Sequence, residues 1–186
     1  KDLTEAPVAR GVVSALHSRE FLTWLSQVCD VKHLLPDPYL TGAGYMKSFK
    51  GDSLKIHSDF NWNEECQTHR ALSLILYFTP DWDEAWHGDL QFWDFDKTEK
   101  VVSYPPKMGN AVIWKYHKRG FHGHPNPITC PEDKFRVGFR TFYYIADSKH
   151  DWRDPPHKSL YWYDKDKNEP YHLENEYGHG KLDDKE

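Results

Sequence analysis

The sequence has few cysteines, no long hydrophobic run and no excess of basic residues. Three cysteines in 186 residues, with no Cys-x-x-Cys, exclude a disulfide framework and a thiolate zinc site, and they indicate a reducing, cytoplasmic compartment. No stretch approaches the roughly 18 consecutive apolar residues of a membrane-spanning helix, so no membrane partner is expected. The formal net charge of −5 leaves no basic stripe for phosphates, so no dedicated nucleic-acid partner is expected.

The patterning indicates a single domain, 1–186, that is mainly β. Ser18 is a good helix N-cap, and apolar residues at helical spacing predict one amphipathic helix to about Val28. Short segments rich in β-branched and aromatic residues then predict seven strands, at 45–50, 53–59, 71–78, 89–95, 101–104, 111–116 and 135–145. Such a series favours an antiparallel sandwich or barrel, with a core over about 40–145 and the helix packed outside. A charged and aromatic extension follows at 146–186.

His-x-Asp, a spacing that suits metal binding, occurs twice, and its context separates the two copies. His57 and Asp59 close a predicted strand, where residues two apart point to the same face. His87 and Asp89 flank a glycine in a predicted loop, where no common face is fixed. The first pair is therefore the predicted metal-binding pair.

Two histidines and one carboxylate can occupy one face of an octahedral metal, as in non-haem Fe(II) oxygenases. The third ligand must come from elsewhere in the chain, and His122 and His124 are the candidates. In the last predicted strand, Arg136 and Arg140 share one face with a glycine between them. An arginine can hold a carboxylate through two parallel hydrogen bonds, so either could anchor a dicarboxylate.

The order of the motifs over about residues 40–145 resembles one known family. His57-x-Asp59 is followed, in order, by RALSLILYF, HGDLQFWD, PPKMGNAVIW, FHG and FRVGFR. This ordered set is similar to the 2-oxoglutarate and Fe(II)-dependent oxygenase superfamily, and more closely to its prolyl-4-hydroxylase-like branch. The resemblance depends on the whole ordered set rather than on any one segment.

The resemblance implies a double-stranded β-helix, or jelly-roll barrel, with iron at its mouth. It implies that His57, Asp59 and a distal histidine bind Fe(II), and its aromatic-His-x segment favours His122 as the distal ligand. Arg136 is expected to pair with the far carboxylate of 2-oxoglutarate. Tyr77 aligns with a tyrosine that in some relatives donates a hydrogen bond to this co-substrate.

The implied activity is hydroxylation of an aliphatic C–H bond in a small-molecule or peptidyl substrate, with a prolyl residue as one candidate. Such a reaction consumes O2 and 2-oxoglutarate and releases succinate and CO2, with ascorbate as an accessory reductant. Two alternatives stand beside it: a catalytically silent metal-binding barrel that acts as a binding module, and a zinc hydrolase, which also uses two histidines and a carboxylate. The absence of HExxH and the presence of a strand arginine weigh against the hydrolase.

The sequence departs from the family pattern at two points. Gly138 follows Arg136-Val where relatives often carry Arg-x-Ser, so a hydroxyl contact to the co-substrate is expected to be absent. His87-Gly88 stands where a Gly-Gly pair is usual, which predicts that His87 is an exposed variant position rather than a ligand. Neither departure removes an expected iron ligand.

Overall fold

The computed structural model describes residues 6–146 and 155–161. Helix α1 (Pro7–Leu16) and helix α2 (Arg19–Cys29) come first. The strands are β1 (Leu35–Pro36), β2 (Gly44–Ser48), β3 (Leu54–Ser58), β4 (Trp62–Asn63), β5 (Thr68–Tyr77), β6 (Leu90–Trp93), β7 (Lys100–Tyr104), β8 (Ala111–Lys115), β9 (His122–His124), β10 (Arg136–Ile145) and β11 (Leu160–Tyr161).

The strands form two antiparallel sheets that face each other as a jelly roll, which confirms the predicted fold class. In the larger sheet, β10 and β5 pair along most of their length, with β1 and β2 beside β10, and β4 and β8 beside β5. The smaller sheet has the order β11-β3-β9-β6-β7. All seven predicted strands are present within a few residues of the expected ends, and β1, β4, β9 and β11 are additional.

The prediction of one N-terminal helix was incomplete, because residues 7–16 form a second one. The predicted helix is α2, and the Ser18 side chain accepts a hydrogen bond from the backbone N–H of Phe21 at 3.2 Å. Helix α1 begins with Pro7, which fits the first turn because its missing N–H has no helical partner there. Neither helix in the described ranges is long and apolar enough to cross a lipid bilayer.

Strand β5 separates the helix side of the larger sheet from the barrel interior. Leu72 and Leu74 pack in one cluster with Leu25 of α2, whereas Ile75 and Tyr77 pack in another with Leu90 of β6. This alternation is the period of two that a strand with two buried faces requires. The interior face, which carries Ser73, Ile75 and Tyr77, belongs to the functional site described below.

The C-terminal extension returns to the barrel beside β3. Of the predicted extension 146–186, the structure describes residue 146 and residues 155–161, and the rest lies outside the described residues. The buried Asn61 side chain donates to the carbonyl of Pro155 at 2.9 Å and accepts from the backbone N–H of His157 at 2.8 Å. These two bonds fix the segment 155–161 so that β11 pairs with β3.

Candidate metal centre

Two buried histidines face each other across adjacent strands of the smaller sheet. His57 lies near the end of β3 and His122 begins β9, and the two residues are direct partners in the antiparallel register. Their ring centroids are 4.6 Å apart. Both rings therefore point to the same place inside the barrel.

Hydrogen bonds to the backbone fix the tautomer of both rings. Nδ1 of His57 lies 2.9 Å from the carbonyl oxygen of Lys55, and Nδ1 of His122 lies 2.8 Å from that of Gly120. A carbonyl oxygen only accepts, so each Nδ1 must carry a proton, and in the neutral ring each Nε2 then presents its lone pair. Metal-ligating histidines use such outer hydrogen bonds to fix ring orientation.

The carboxylate of Asp59 completes a group of three possible ligands. Asp59 was predicted to lie inside the strand, but it follows the last residue of β3. Its side chain still lies close to that of His57. Oδ1 of Asp59 lies 3.7 Å from Nε2 of His57, and Oδ2 lies 3.6 Å from Nε2 of His122. The ligand atoms of these three side chains lie within 4.8 Å of one another. Two imidazoles and one carboxylate are a donor set that suits Fe(II).

The buried arginine Arg70 holds the Asp59 carboxylate in its ionised form. Its Nη1 lies 2.7 Å from Oδ2 of Asp59, and the Ser73 hydroxyl donates to the same oxygen at 3.1 Å. The guanidinium carbon lies 3.5 Å from the ring centroid of Phe142 and 3.7 Å from that of Phe60. Burial by itself raises the pKa of Asp59, but the positive charge of Arg70 holds that pKa well below its usual range.

Sequence reasoning did not identify Arg70 as part of the site, although the motif RALSLILYF begins with it. An arginine that is fully buried in a sheet needs a counter-charge, so its position at the start of an otherwise apolar strand was an available signal. The partner could not be read from sequence, because Asp59 meets Arg70 only once β4 pairs with β5, where the backbone N–H of Arg70 donates to the carbonyl of Asn61 at 2.8 Å.

The predicted anchor Arg136 is buried on the opposite sheet with its guanidinium held in place. Its Nε donates to the carbonyl of Gly88 at 2.8 Å, and its Nη2 lies 3.0 Å from the hydroxyl of Tyr77. A Cβ on Gly88 would lie 3.4 Å from Cδ of Arg136 and 3.2 Å from a side-chain carbon of Ile128, so glycine suits this approach. Burial raises the pKa of Tyr77, and the charge of Arg136 opposes that rise in part.

His124 is not among the three side chains whose ligand atoms converge. It is buried on the same strand as His122, and its electrostatic partners include Arg136. Its Nδ1 has no hydrogen-bond partner among the described residues. Burial, followed by the charge of Arg136, lowers the pKa of His124 to about 4. Burial also lowers the pKa of His122 to about 4, so both rings are neutral at physiological pH.

The second His-x-Asp triplet takes no part in the group. His87 is exposed at the end of a short 3₁₀ turn, as its sequence context predicted. Its φ of 63° and ψ of −153° lie in a region that is essentially restricted to glycine. The Gly-Gly pair that is usual at this point would remove that strain.

Two side chains that the sequence did not assign to the group face it as well. The Tyr161 ring of β11 stacks on the His57 ring, with centroids 5.1 Å apart and planes at 27°. Arg140, on the same face of β10 as Arg136, interacts electrostatically with both Asp59 and Tyr161. Burial lowers the pKa of Arg140.

Comparison with known proteins identifies the family. The model of the 2OG-Fe(II) oxygenase superfamily matches residues 43–144, which is more than half of the chain. The chain belongs to this superfamily. Membership confirms the expected chemistry, that of a 2-oxoglutarate-dependent Fe(II) dioxygenase with Fe(II), 2-oxoglutarate and O2 as its cofactors and co-substrates. No curated protein sequence matches the chain.

Solved structures of prolyl hydroxylases share the fold of this oxygenase. A prolyl-4-hydroxylase from Pseudomonas putida superposes with a TM-score of 0.53 at 14% sequence identity, over 77% of this chain and 70% of that one. A structure of the prolyl 4-hydroxylases from Phytophthora capsici gives a TM-score of 0.50 at 16% identity, over 75% of this chain and 44% of that one. At these identities the likeness establishes the architecture and not the substrate.

Proposed function

We propose that this oxygenase hydroxylates an aliphatic C–H bond, with Fe(II) held by His57, Asp59 and His122 and 2-oxoglutarate held by Arg136 and Tyr77. One observation carries the proposal. The three possible ligands and a buried, pre-oriented arginine lie inside the same barrel. A co-substrate that chelates a metal at one end and carries a second carboxylate at the other requires this combination. When bound, the iron supplies the activation of O2 and 2-oxoglutarate that oxidises the C–H bond and yields succinate and CO2.

The chain's own residues keep the ligand atoms ready to bind. The carbonyls of Lys55 and Gly120 hold the Nδ1 protons of both imidazoles, so in each neutral ring Nε2 is the nitrogen that can bind a metal. Arg70 keeps Asp59 ionised through Oδ2, and Oδ1 remains without a contact to the guanidinium. Phe92 and Trp114 pack their rings within 6 Å of the His122 ring and keep bulk water away from it.

Arg136 and Tyr77 provide the far end of the co-substrate site. The bond from Nε of Arg136 to the Gly88 carbonyl fixes the plane of the guanidinium before any ligand arrives. The tyrosine hydroxyl beside Nη2 offers a second polar contact for the same carboxylate. The zinc hydrolase alternative gives no role to this pair, because water bound to zinc needs no dicarboxylate anchor.

A prolyl residue in a peptide is the substrate that we propose. The two solved relatives with the same architecture are described as prolyl-4-hydroxylases, which supports this choice without deciding it. The His57 ring is covered by the exposed ring of Tyr161, and an aromatic face is a good surface for a proline ring.

We also propose a reducing, cytoplasmic location. Cys29, Cys66 and Cys130 are all unpaired. Burial raises the thiol pKa of each, which keeps them in the less reactive protonated form. Three unpaired thiols suit a compartment in which disulfides do not persist.

Ligand variants test the assignment by two measurements, calorimetric binding of Mn(II) and 2-oxoglutarate-dependent succinate formation. The variants His57→Ala, Asp59→Ala and His122→Ala should each weaken Mn(II) binding by about tenfold or more and abolish succinate formation. His124→Ala should retain Mn(II) binding. The matched control His87→Gly, in the other triplet, should retain both. Retained metal binding in His122→Ala with loss in His124→Ala would show that the distal ligand is misassigned.

A catalytically silent barrel predicts a different result. Such a protein would bind Mn(II) in the same His57- and Asp59-dependent way but form no succinate with any prolyl peptide. The metal-binding and turnover measurements together therefore separate a wrong ligand set from a correct set without catalysis.

A further inference from the structure

A second arginine faces the interior of the barrel beside the group of three ligands. Arg140 follows Arg136 by four residues on β10, with Gly138 between them on the same face. At the rise of an antiparallel strand, the two Cα atoms are about 13 Å apart. Arg136 bonds Tyr77 and Gly88, whereas the electrostatic partners of Arg140 are Asp59, Arg70, Tyr161 and Arg136. The two arginines therefore serve different parts of the cavity.

The guanidinium of Arg140 is only partly satisfied. Its Nη2 donates to the backbone carbonyl of Gly42 at 2.6 Å, and its Nε is buried without a hydrogen-bond partner among the described residues. No carboxylate in the described ranges lies within ion-pair distance of it. A charged group that is partly withdrawn from water with one neutral partner retains a strong preference for an anion.

The other charged groups near Arg140 are already balanced by groups of opposite charge. Asp59 is paired with Arg70 at 2.7 Å. Under the proposed function, the double negative charge of 2-oxoglutarate is matched by the iron dication and by Arg136. The half-buried Asp89, which interacts electrostatically with Tyr77 and His124, lies at the Arg136 end of the cavity. Arg140 is left as an unmatched positive charge when metal and co-substrate are both present.

Arg140 and Tyr161 lie near each other and border the same part of the site. Tyr161 is 41% exposed and covers the outer side of the His57 ring. Arg140 is partly buried and still reaches solvent at the end that bonds Gly42. A substrate that enters over the metal ligands would pass between the ring of Tyr161 and the guanidinium of Arg140.

We propose that Arg140 is a specificity-determining residue that binds an anionic side chain of the substrate, so that this oxygenase acts on acidic peptides. The inference rests on the proposed function and names the substrate class for the same site. The carboxylate that Arg140 binds belongs to a residue flanking the oxidised proline, while Tyr161 packs against the proline ring. Arg140 takes no part in holding 2-oxoglutarate.

Three matched pentapeptides test this proposal. Each has a central proline, and the four flanking residues are all Glu, all Gln or all Lys. The specificity constant is measured as peptide-stimulated succinate formation. The binding of Fe(II) and 2-oxoglutarate is followed separately through the visible absorption of their complex. We expect the wild-type enzyme to prefer the Glu peptide over the Gln peptide by at least about tenfold, the size of one good charge-assisted contact.

The variants separate a role in substrate selection from a role in the fold. Arg140→Gln should reduce the Glu preference to within about twofold, and Arg140→Glu should reverse it in favour of the Lys peptide. Both variants should keep the wild-type affinity for 2-oxoglutarate. Arg10→Gln, which removes the same charge from the exposed side of α1, should keep the wild-type preference.

Other outcomes overturn the proposal and identify which part is wrong. Equal turnover of the Glu and Gln peptides, or no turnover of the Glu peptide by an enzyme that binds Fe(II) and 2-oxoglutarate, would refute the acidic substrate and leave the proposed co-substrate site intact. Weaker 2-oxoglutarate binding in Arg140→Gln would assign Arg140 to the co-substrate instead. Failure of the wild-type enzyme to bind 2-oxoglutarate would refute the proposed function itself.

Discussion

The guanidinium of Arg70 lies 2.7 Å from the carboxylate of Asp59, and neither side chain is appreciably exposed. The rings of Phe60 and Phe142 lie on the guanidinium at 3.7 and 3.5 Å, so the charge of the arginine has little access to water. A buried pair of this kind fixes the direction of the carboxylate and also makes each partner dependent on the other.

Replacing Arg70 with Met should destabilise the protein and weaken metal binding at the same time. Loss of one member of a buried ion pair costs about 3–5 kcal/mol, because the other charge remains without compensation. The pKa of Asp59 should rise, and a protonated carboxyl is a poor metal ligand. Chemical denaturation gives the stability change and Mn(II) titration gives the affinity. Unchanged Mn(II) affinity in a folded Arg70→Met protein would refute the positioning role.

Gly123 is expected to be required for the approach of the two histidine-bearing strands. A Cβ at this position would lie 2.7 Å from the carbonyl oxygen of Leu54 and 2.8 Å from that of Lys55. The Lys55 carbonyl also accepts the hydrogen bond that orients His57. Gly123→Ala should therefore cost about 1–3 kcal/mol of stability and lower metal affinity.

Gly11 provides the matched control for that substitution. It lies in α1 with no atom close to its ideal Cβ position. Gly11→Ala should stabilise the protein by about 0.5–1 kcal/mol and leave metal affinity unchanged. If Gly123→Ala keeps wild-type stability and Mn(II) affinity, the close strand contact is not essential.

Relief of backbone strain at His87 should stabilise the protein. A non-glycine residue in this conformation costs about 1–3 kcal/mol, and part of the gain from glycine is lost through a more flexible unfolded chain. We expect His87→Gly to raise the melting temperature by a few degrees, in line with a net gain of about 1 kcal/mol. His87→Ala keeps a Cβ and should give no such gain. Equal melting temperatures for the Gly and Ala variants would contradict the prediction.

His17 should make folding stability depend on pH in mildly acidic solution. Burial lowers the pKa of His17 below its usual 6.5, with Asp37 opposing the change, and its Nε2 lies 3.1 Å from the Thr141 hydroxyl. The unfolded chain therefore binds this proton more readily than the folded chain. Its contribution to stability is complete above pH 6.5 and declines as the pH falls from 6.5 through the lowered pKa.

The comparison with His17→Asn isolates this contribution from those of the other histidines. Denaturation midpoints measured between pH 5 and pH 8 should fall less steeply on acidification in the variant than in the wild-type protein. Parallel midpoint curves for the two proteins would show that His17 does not titrate differently in the folded and unfolded states.

Helices and strands were predictable where the local pattern of apolar residues matches the burial of those residues in the folded protein. The seven longer strands and α2 carry their own periodicity, and Ser18 caps that helix as its residue type suggests. The strands β1, β4 and β11 have two residues each and exist only because a neighbouring strand pairs with them. Helix α1 was missed because a glycine and several β-branched valines weaken its signal.

The candidate site was predictable only as far as residues close in sequence are close in space. His57 and Asp59 share a strand end, so their proximity follows from their spacing. The choice between His122 and His124 depends on which of them pairs with His57 across β3 and β9, and that register is a property of the folded sheet. The contacts of Arg70 and Arg140 depend on tertiary structure, namely the pairing of β4 with β5 and the contact of β10 with the chain at Gly42.

Anaerobic titration of the metal-free protein with Fe(II) and then 2-oxoglutarate tests the proposed site most directly. The visible charge-transfer absorption of the Fe(II)–2-oxoglutarate complex should appear in the wild-type protein. In Arg136→Gln the same absorption should require about tenfold or more 2-oxoglutarate, because a charge-assisted anchor is lost. Bound iron with no such absorption at any 2-oxoglutarate concentration would contradict the assignment of His57, Asp59, His122 and Arg136 to one oxygenase site.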